Sequence, residues 1–161
     1  MSTGRVQQRY RRAVLGLNGG STDDLVIAAG LEMAKAHETE LVALHVVEVD
    51  WRHDLDDVIP GSRELASTVL DRAEGAAERA DIRIATELLQ AREIGAALVD
   101  EAVSLEADVI ILGLPYRKKR GGDFALGRTI PYVFENAPSA VVVIREPLPE
   151  PADAAATERK D

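Results

Sequence analysis

The fold is decided by the stretch DVIILGLPYRKKRGGDFALGRTIPYVFENAPSAVVVIR, which runs from Asp108 to Arg145. Its two apolar, β-branched runs, Val109–Leu112 and Ala140–Ile144, are typical of buried strands. A short helix is predicted between them over Thr129–Asn136, with Pro131 in its first turn, where proline is tolerated. This order predicts an anion-binding element, because the first N–H groups of a helix have no partner within the helix.

The alternation of strands and helices extends toward the amino terminus. Apolar runs predict three further strands, over Arg12–Leu17, Glu40–Val49 and Ile82–Leu89. Helical spacing predicts three longer helices, from an N-cap at Ser21 to about His37, over Ser62–Ala80 and over Ile94–Leu105. The buried face of the second is predicted to carry Leu65, Val69, Ala73, Ala76 and Ala80.

These elements predict a single α/β domain over residues 10–145. Strands that alternate with helices form a mostly parallel, doubly wound sheet with helices on both faces. Residues 1–9 are expected to be a flexible basic segment. Residues 146–161 contain three prolines and no sizeable apolar face, so a disordered tail is expected there.

Composition excludes several classes of function. The formal net charge of −9 argues against binding to nucleic acid, and an aromatic content of 4% argues against base stacking. The chain has no cysteine, which excludes disulfides and thiolate metal sites and suits the cytoplasm. Its longest apolar runs are far shorter than a membrane span, so no membrane insertion is expected.

Glycines follow two of the predicted strands, at Asn18-Gly19-Gly20 and at Gly113. In an open parallel sheet, ligands bind outside the carboxyl ends of the strands, where the strand order reverses. One interpretation is therefore a nucleotide cleft, with the phosphates over the amides of Gly127, Arg128 and Thr129. The other is that these glycines only allow tight turns.

Four segments together resemble the universal stress protein (UspA-like) family: RAVLGLNGGS, ELVALHVVEV, DVIILGLP and LGRTIPYVFENAPSAVVVIR. The resemblance implies an adenine nucleotide alpha hydrolase-like fold, with a five-stranded parallel sheet in the order 3-2-1-4-5. It also implies a homodimer through the last strand, with Val141, Val142, Val143 and Ile144 at the interface. That agrees with the residues, because this strand would otherwise be an exposed apolar edge.

Members of this family that bind ATP carry an aspartate after the first strand and a loop of the form Gly-x2-Gly-x9-Gly-Ser/Thr. Here Asn18 stands at the aspartate position, Tyr116 replaces the second glycine, and Arg128 replaces the hydroxyl residue. The spacer from Tyr116 to Gly127 has ten residues, one more than the family pattern. The loop is thus an altered ATP loop, in which Arg128 either grips a phosphate or takes its place.

The resemblance also implies where an adenine nucleotide such as ATP would bind. Its contacts are carried over to Gly16, Leu17, Asn18, Val46, Leu112, Gly113, Gly127, Arg128 and Thr129. The side chains of Val46 and Leu112 are expected to belong to the core. The basic residues Arg117–Arg120 are expected to steer or reach a terminal phosphate.

The leading hypothesis is a non-catalytic regulatory domain with a nucleotide cleft and no catalytic residues. The alternative is a ligand-free interaction module whose cleft is blocked by Tyr116 and Arg128. That module would regulate a membrane transporter or another partner, since the altered loop resembles domains appended to amino-acid permeases. A slow ATPase ranks last. The three histidines, His37, His45 and His53, do not form a metal site by their spacing, and His45 is expected to be structural.

Overall fold

The computed structural model describes residues 10–117 and 126–150, in which five strands alternate with four helices. The strands are β1 (Arg12–Leu17), β2 (Glu40–Glu48), β3 (Ile84–Ala91), β4 (Val109–Leu114) and β5 (Ala140–Arg145). The helices are α1 (Asp23–His37), α2 (Ser62–Arg79), α3 (Ile94–Ser104) and α4 (Thr129–Asn136). The predicted basic segment 1–9, the loop residues Lys118–Arg120 and the tail from residue 151 onward lie outside the described residues. What was predicted for them stays a prediction.

The five strands form one parallel sheet in the order β3-β2-β1-β4-β5, as predicted. The order reverses between β1 and β4, where Gly16 is paired with Leu112. The strands β3 and β5 form the two edges. The carboxyl ends of β1 and β4 are therefore neighbours, as the glycines after these strands predicted.

The core consists of two layers, one on each face of the sheet. On one face, α1 and α2 pack against Ala13, Leu15 and Leu17 of β1. On the other face, α3 and α4 pack against Val14 and the alternate residues of β2 and β4. Because both faces are covered, the central strands are apolar at nearly every position. Leu15 and Ile110 are fully buried, and burial of such a side chain stabilises the fold by about 1.5–3 kcal/mol.

One local prediction about the helices was wrong, and a second was right only for Val69 and Ala73. The N-cap of α1 is Thr22, and the hydroxyl of Ser21 donates instead to Glu146 at 3.0 Å. On α2 the buried face is Ala66, Val69, Ala73 and Ala77, and Leu65 is half exposed. Because α2 is rich in alanine, the apolar pattern of the sequence distinguishes its two faces only weakly.

The amino ends of the strands are tied together by polar contacts around Arg12. The backbone N–H groups of Arg11 and Arg12 donate to the Asp108 carboxylate at 2.7 Å and 3.0 Å. The Arg12 guanidinium donates to Glu40 at the start of β2 and to the carbonyl oxygen of Leu105 before β4. These contacts fix the relative positions of β1, β2 and β4 at the end of the sheet away from the predicted cleft.

Candidate functional site

A cleft of about 320 Å³ opens at the carboxyl ends of β1 and β4. Its walls include every residue that was predicted as a nucleotide contact, namely Gly16, Leu17, Asn18, Val46, Leu112, Gly113, Gly127, Arg128 and Thr129. The volume is at the lower end of the range for small-molecule sites. The structure thus brings together residues that are more than one hundred positions apart in the sequence.

The floor of the cleft is apolar. Leu44, Val46, Leu98 and Leu112 are buried there and belong to the core layer beneath α3. The prediction that the side chains of Val46 and Leu112 are core residues is therefore confirmed. An apolar floor of this kind can accept a flat ring, while the strand and loop backbones around it offer hydrogen-bonding groups.

The loop after β1 is closed by its own side chains. The Asp23 carboxylate accepts the backbone N–H groups of Asn18 at 3.1 Å and Gly19 at 2.7 Å. The side-chain oxygen of Asn18 accepts the N–H of Gly20 at 2.7 Å. Three amides that could have met an anion already have carboxylate or amide partners, so this loop is not the place for a phosphate.

Asp23 is nearly fully buried at this position. Burial raises the pKa of its carboxyl, although the hydrogen bonds from Asn18 and Gly19 and the charges of Arg72 and His45 act in the opposite direction. Both carboxylate oxygens are occupied by N–H donors. The geometry suits a structural acceptor that shapes the loop.

The opposite side of the cleft is the N-terminus of α4. Gly127 has a φ of +69°, a left-handed conformation that turns the chain into the helix, and Arg128 is the N-cap residue. Within the described residues, no side chain caps this helix end. Its first N–H groups and the positive end of the helix dipole are therefore available to an anion.

Arg128 lies in the wall between the cleft and a smaller side cavity of about 120 Å³. Its guanidinium donates to the carboxylate of Glu48, at the end of β2, over 3.2 Å. Glu48 lines the side cavity together with Glu93 and Tyr132. The Arg128 charge is therefore neutralised from the side of the smaller cavity, and the two roles predicted for it, gripping a phosphate or taking its place, both stay predictions.

The structure places Tyr116 away from the described walls of the cleft. Its backbone N–H donates to Glu146 at 2.8 Å, and its ring lies beneath the guanidinium of Arg145, 5.5 Å from the ring centroid. The alternative in which Tyr116 and Arg128 block the cleft stays a hypothesis. Of the predicted basic loop, Arg117 lines the cleft.

Sequence reasoning missed two of the charged residues at this site. Asp23 is not among the predicted contacts, and Glu48 falls within the predicted strand Glu40–Val49 without a role of its own. Two features of the sequence could have indicated them. Asp23 follows a glycine turn closely, and Glu48 lies at the carboxyl end of a predicted strand. The partner of Glu48 lies 80 positions away and could not be read from local pattern.

The remaining candidates have structural roles or lie apart. His45 is buried, and its Nδ1 donates to the carbonyl oxygen of Leu17 at 2.9 Å, which confirms its structural role. In residues 10–117 and 126–150, no group of three or more possible metal ligands comes together. No helix in the same ranges is long and apolar enough to cross a membrane. Val141–Ile144 lie on the edge strand β5 and are only partly buried.

Comparison with solved structures shows the same fold in other proteins. A universal stress protein in complex with cAMP is 17% identical, with 86% of this chain and 98% of that chain covered and a TM-score of 0.64. One from Archaeoglobus fulgidus in complex with dAMP is 16% identical, with 85% and 99% covered and a TM-score of 0.65. One from Arabidopsis thaliana with AMP bound is 13% identical, with 89% and 98% covered and a TM-score of 0.61.

Comparison with curated protein sequences gives no match. The universal stress protein family, however, matches residues 9–145, which include all five strands and all four described helices. With the predicted sheet order, the cleft at the switch point and this match in agreement, the chain belongs to the universal stress protein family.

Proposed function

We propose that this protein is a non-catalytic, homodimeric regulatory domain that binds an adenine nucleotide, or a related phosphate ligand, in the cleft between β1 and β4. The observation that carries the proposal is the cleft itself. An apolar floor lies next to an uncapped helix N-terminus, and all the residues predicted as contacts line the walls. The base would lie on the floor and the phosphate at the N-terminus of α4.

The related structures support an adenine nucleotide. Three proteins with this fold are in complex with cAMP, dAMP and AMP. The altered loop of the present chain favours a ligand with few phosphates. Asp23 already occupies the amides after β1, which leaves the α4 end and Arg117 as the described anion-binding groups of the cleft.

The hydrogen bonds of the carboxylate in the cleft favour a regulatory role over catalysis. Asp23 is the carboxylate that lines the described part of the cleft, and both of its oxygens accept backbone N–H groups. A general base must point at the proton that it removes, whereas these two hydrogen bonds direct the Asp23 carboxylate at the loop backbone. We therefore place slow ATP hydrolysis behind ligand binding.

The homodimer is proposed through β5. This strand is an edge of the sheet, and Val141–Ile144 are apolar yet only partly buried. An apolar edge of this kind is a template for pairing with a second chain. The cytoplasm is the expected compartment, in agreement with the absence of cysteine from the sequence.

The second candidate function is an interaction module that acts without a ligand and regulates a membrane transporter or another partner. It is favoured by the hydrogen bonds within the protein at this site. The Asp23 carboxylate accepts the N–H groups of the loop after β1, and the Glu48 carboxylate accepts a hydrogen bond from Arg128. In this case Arg117 would contact the partner. Co-purification with membrane fractions that is lost in Arg117→Ala, without any nucleotide affinity, would favour this candidate.

Calorimetric titration with AMP, cAMP, ATP and adenosine tests the proposed function. Binding at micromolar to low millimolar concentration is expected, with adenosine weaker than AMP. Arg117→Gln should weaken AMP binding roughly tenfold, because a charge-assisted hydrogen bond is lost. Arg79→Gln removes the same charge at the far end of α2 and serves as the control. If none of the four ligands binds at millimolar concentration, the proposal is wrong.

A further inference from the structure

The ion pair between Glu48 and Arg128 is a feature of this chain that ligand binding alone does not explain. It joins the end of β2 to the N-cap of α4 across a distance of 80 residues in the sequence. Arg128 borders both the cleft and the side cavity, whereas Glu48 lines only the side cavity among the described residues. The carboxylate therefore holds the guanidinium at the boundary, on the side away from the cleft.

The pair is weak enough to be exchanged. The Arg128 side chain is 78% exposed and the Glu48 side chain 44% exposed. Exposed pairs of this kind contribute little to stability, because water screens the charges and two long side chains must be ordered. A phosphate offers a guanidinium two parallel hydrogen bonds and more charge than a single carboxylate. A phosphate in the cleft can therefore replace Glu48 as the partner of Arg128.

We propose that Glu48 is a specificity-determining residue, which competes with the ligand phosphate for Arg128 and so sets the affinity and the charge selectivity of the cleft. The inference rests on the proposed function, since it assumes a phosphate ligand. After the exchange the Glu48 carboxylate remains next to the cleft wall without its partner. Its repulsion then grows with each negative charge on the ligand, so the cleft favours ligands with few phosphates.

The side cavity supplies a matched control for this idea. Glu93, the N-cap residue of α3, lines the same cavity, and the described hydrogen bonds and ion pairs of Arg128 do not include it. Glu93→Gln removes the same charge from the same region but leaves the pair intact. A difference between Glu48→Gln and Glu93→Gln therefore isolates the pair from the general effect of charge.

The experiment is a calorimetric titration of wild type, Glu48→Gln, Glu93→Gln, Arg128→Gln and the double variant Glu48→Gln/Arg128→Gln. Glu48→Gln is expected to bind AMP about threefold to fivefold more tightly at low ionic strength, because the competing pair is removed. Compared with AMP, the gain in affinity should be smaller for cAMP, which carries less negative charge, and larger for ATP, which carries more. It should fall below about twofold in the Arg128→Gln background and at about 0.5 M salt.

Three results would overturn the inference. The first is an unchanged affinity in Glu48→Gln, and the second is an equal gain in Glu93→Gln. The third is a gain of undiminished size when Arg128 is absent, since only the repulsion by Glu48 should remain in that background. In each of these cases wild type still binds nucleotide, so the proposed function stands. If wild type and all variants bind none of the nucleotides, the proposed function fails and this inference fails with it. Thermal melts of each variant verify that the fold is retained.

Discussion

Gly113 and Thr22 approach each other so closely that a Cβ on Gly113 would lie 2.2 Å from the Thr22 hydroxyl oxygen. Val26 on the next turn of α1 would be 3.2 Å away. The glycine at the end of β4 is therefore required by the packing of α1 against the sheet, and not only by a ligand. Both residues line the cleft.

Replacement of Gly113 by alanine is expected to destabilise the fold by about 1–3 kcal/mol, because the added methyl group overpacks the start of α1. Chemical denaturation measures the free energy of unfolding. Gly75→Ala is the control, because a Cβ there would meet only the flexible end of Arg79 at 3.4 Å. That variant should be more stable by about 0.5–1 kcal/mol, since Gly75 is inside α2. Equal effects of the two changes would contradict the packing argument.

Asp23→Asn is expected to destabilise the fold by about 1–3 kcal/mol, since one of the N–H groups of Asn18 and Gly19 loses its acceptor. The effect should depend on pH. The pKa of Asp23 is raised, so the folded state binds more protons than the unfolded state above the ordinary value of 3.8. The stability that wild type gains over the variant should therefore fall as pH rises through this window and then stay constant.

Asp50 provides the control of opposite sign. A hydrogen bond from the Arg52 side chain is the main cause that lowers the pKa of Asp50 to about 2. Its contribution is present above the ordinary value of 3.8 and is lost as pH falls toward 2. Urea denaturation of wild type, Asp23→Asn and Asp50→Asn at a series of pH values should show slopes of opposite sign. Parallel slopes for the two variants would contradict the burial of Asp23.

Glu101→Gln is expected to stabilise the protein at neutral pH by a few tenths of a kcal/mol. The side chains of Glu87 and Glu101 share a hydrogen bond between β3 and α3, and this bond raises the pKa of Glu87. Its stabilisation is present at acidic pH and is lost as pH rises through the raised pKa, where the carboxylates repel. Thermal melts at about pH 4 and pH 7 measure the difference.

A control separates this local effect from the general benefit of removing a negative charge. Glu32→Gln on α1 makes the same change in net charge at an exposed position. Its effect should be smaller at neutral pH. A gain from Glu101→Gln that is the same at both pH values would show that the shared hydrogen bond does not contribute.

Val142→Lys is expected to convert a homodimer into monomers, because a charge on the edge strand β5 opposes pairing with a second chain. Leu88→Lys places the same charge on β3, at the other edge, where the leucine is 44% exposed. That variant should remain dimeric. Sedimentation velocity measures both. A monomeric wild type, or a dimer that is lost only in Leu88→Lys, would contradict an interface on β5.

The sequence predicted the architecture well because the central strands are apolar on both faces. A continuous apolar run such as that of β4 must be buried on both faces, and only a central strand of a sheet covered by helices on both sides is buried in this way. The details of α1 and α2 were harder. The sequence predicts Ser21 as the N-cap of α1, whereas the N-cap is the next residue, Thr22, which is buried against Gly113.

The sequence predicted which residues line the candidate site, but it did not predict the partners of the charged side chains there. Glycines at strand ends and at the start of α4 reveal where a chain turns, and such turns are local. The pairing of Arg128 with Glu48 depends on how α4 sits against the end of β2, which is set by tertiary packing. The role of Asp23 as a hydrogen-bond acceptor could not be predicted either, because it depends on the conformation of the preceding loop.

The polar contacts around Arg12 lie at one end of the sheet only, so the two ends of the sheet should tolerate sequence changes to different degrees. At the amino ends of the strands, Asp108 and Glu40 hold β1, β2 and β4 together. Register is therefore fixed without help from the cleft. Loops at the carboxyl ends can diverge in length and composition while the sheet stays intact, and the ten-residue spacer after Tyr116 is one such divergence. Outside the close contacts of Gly113 and Asp23, new ligand preferences can thus arise on this scaffold at small cost in stability.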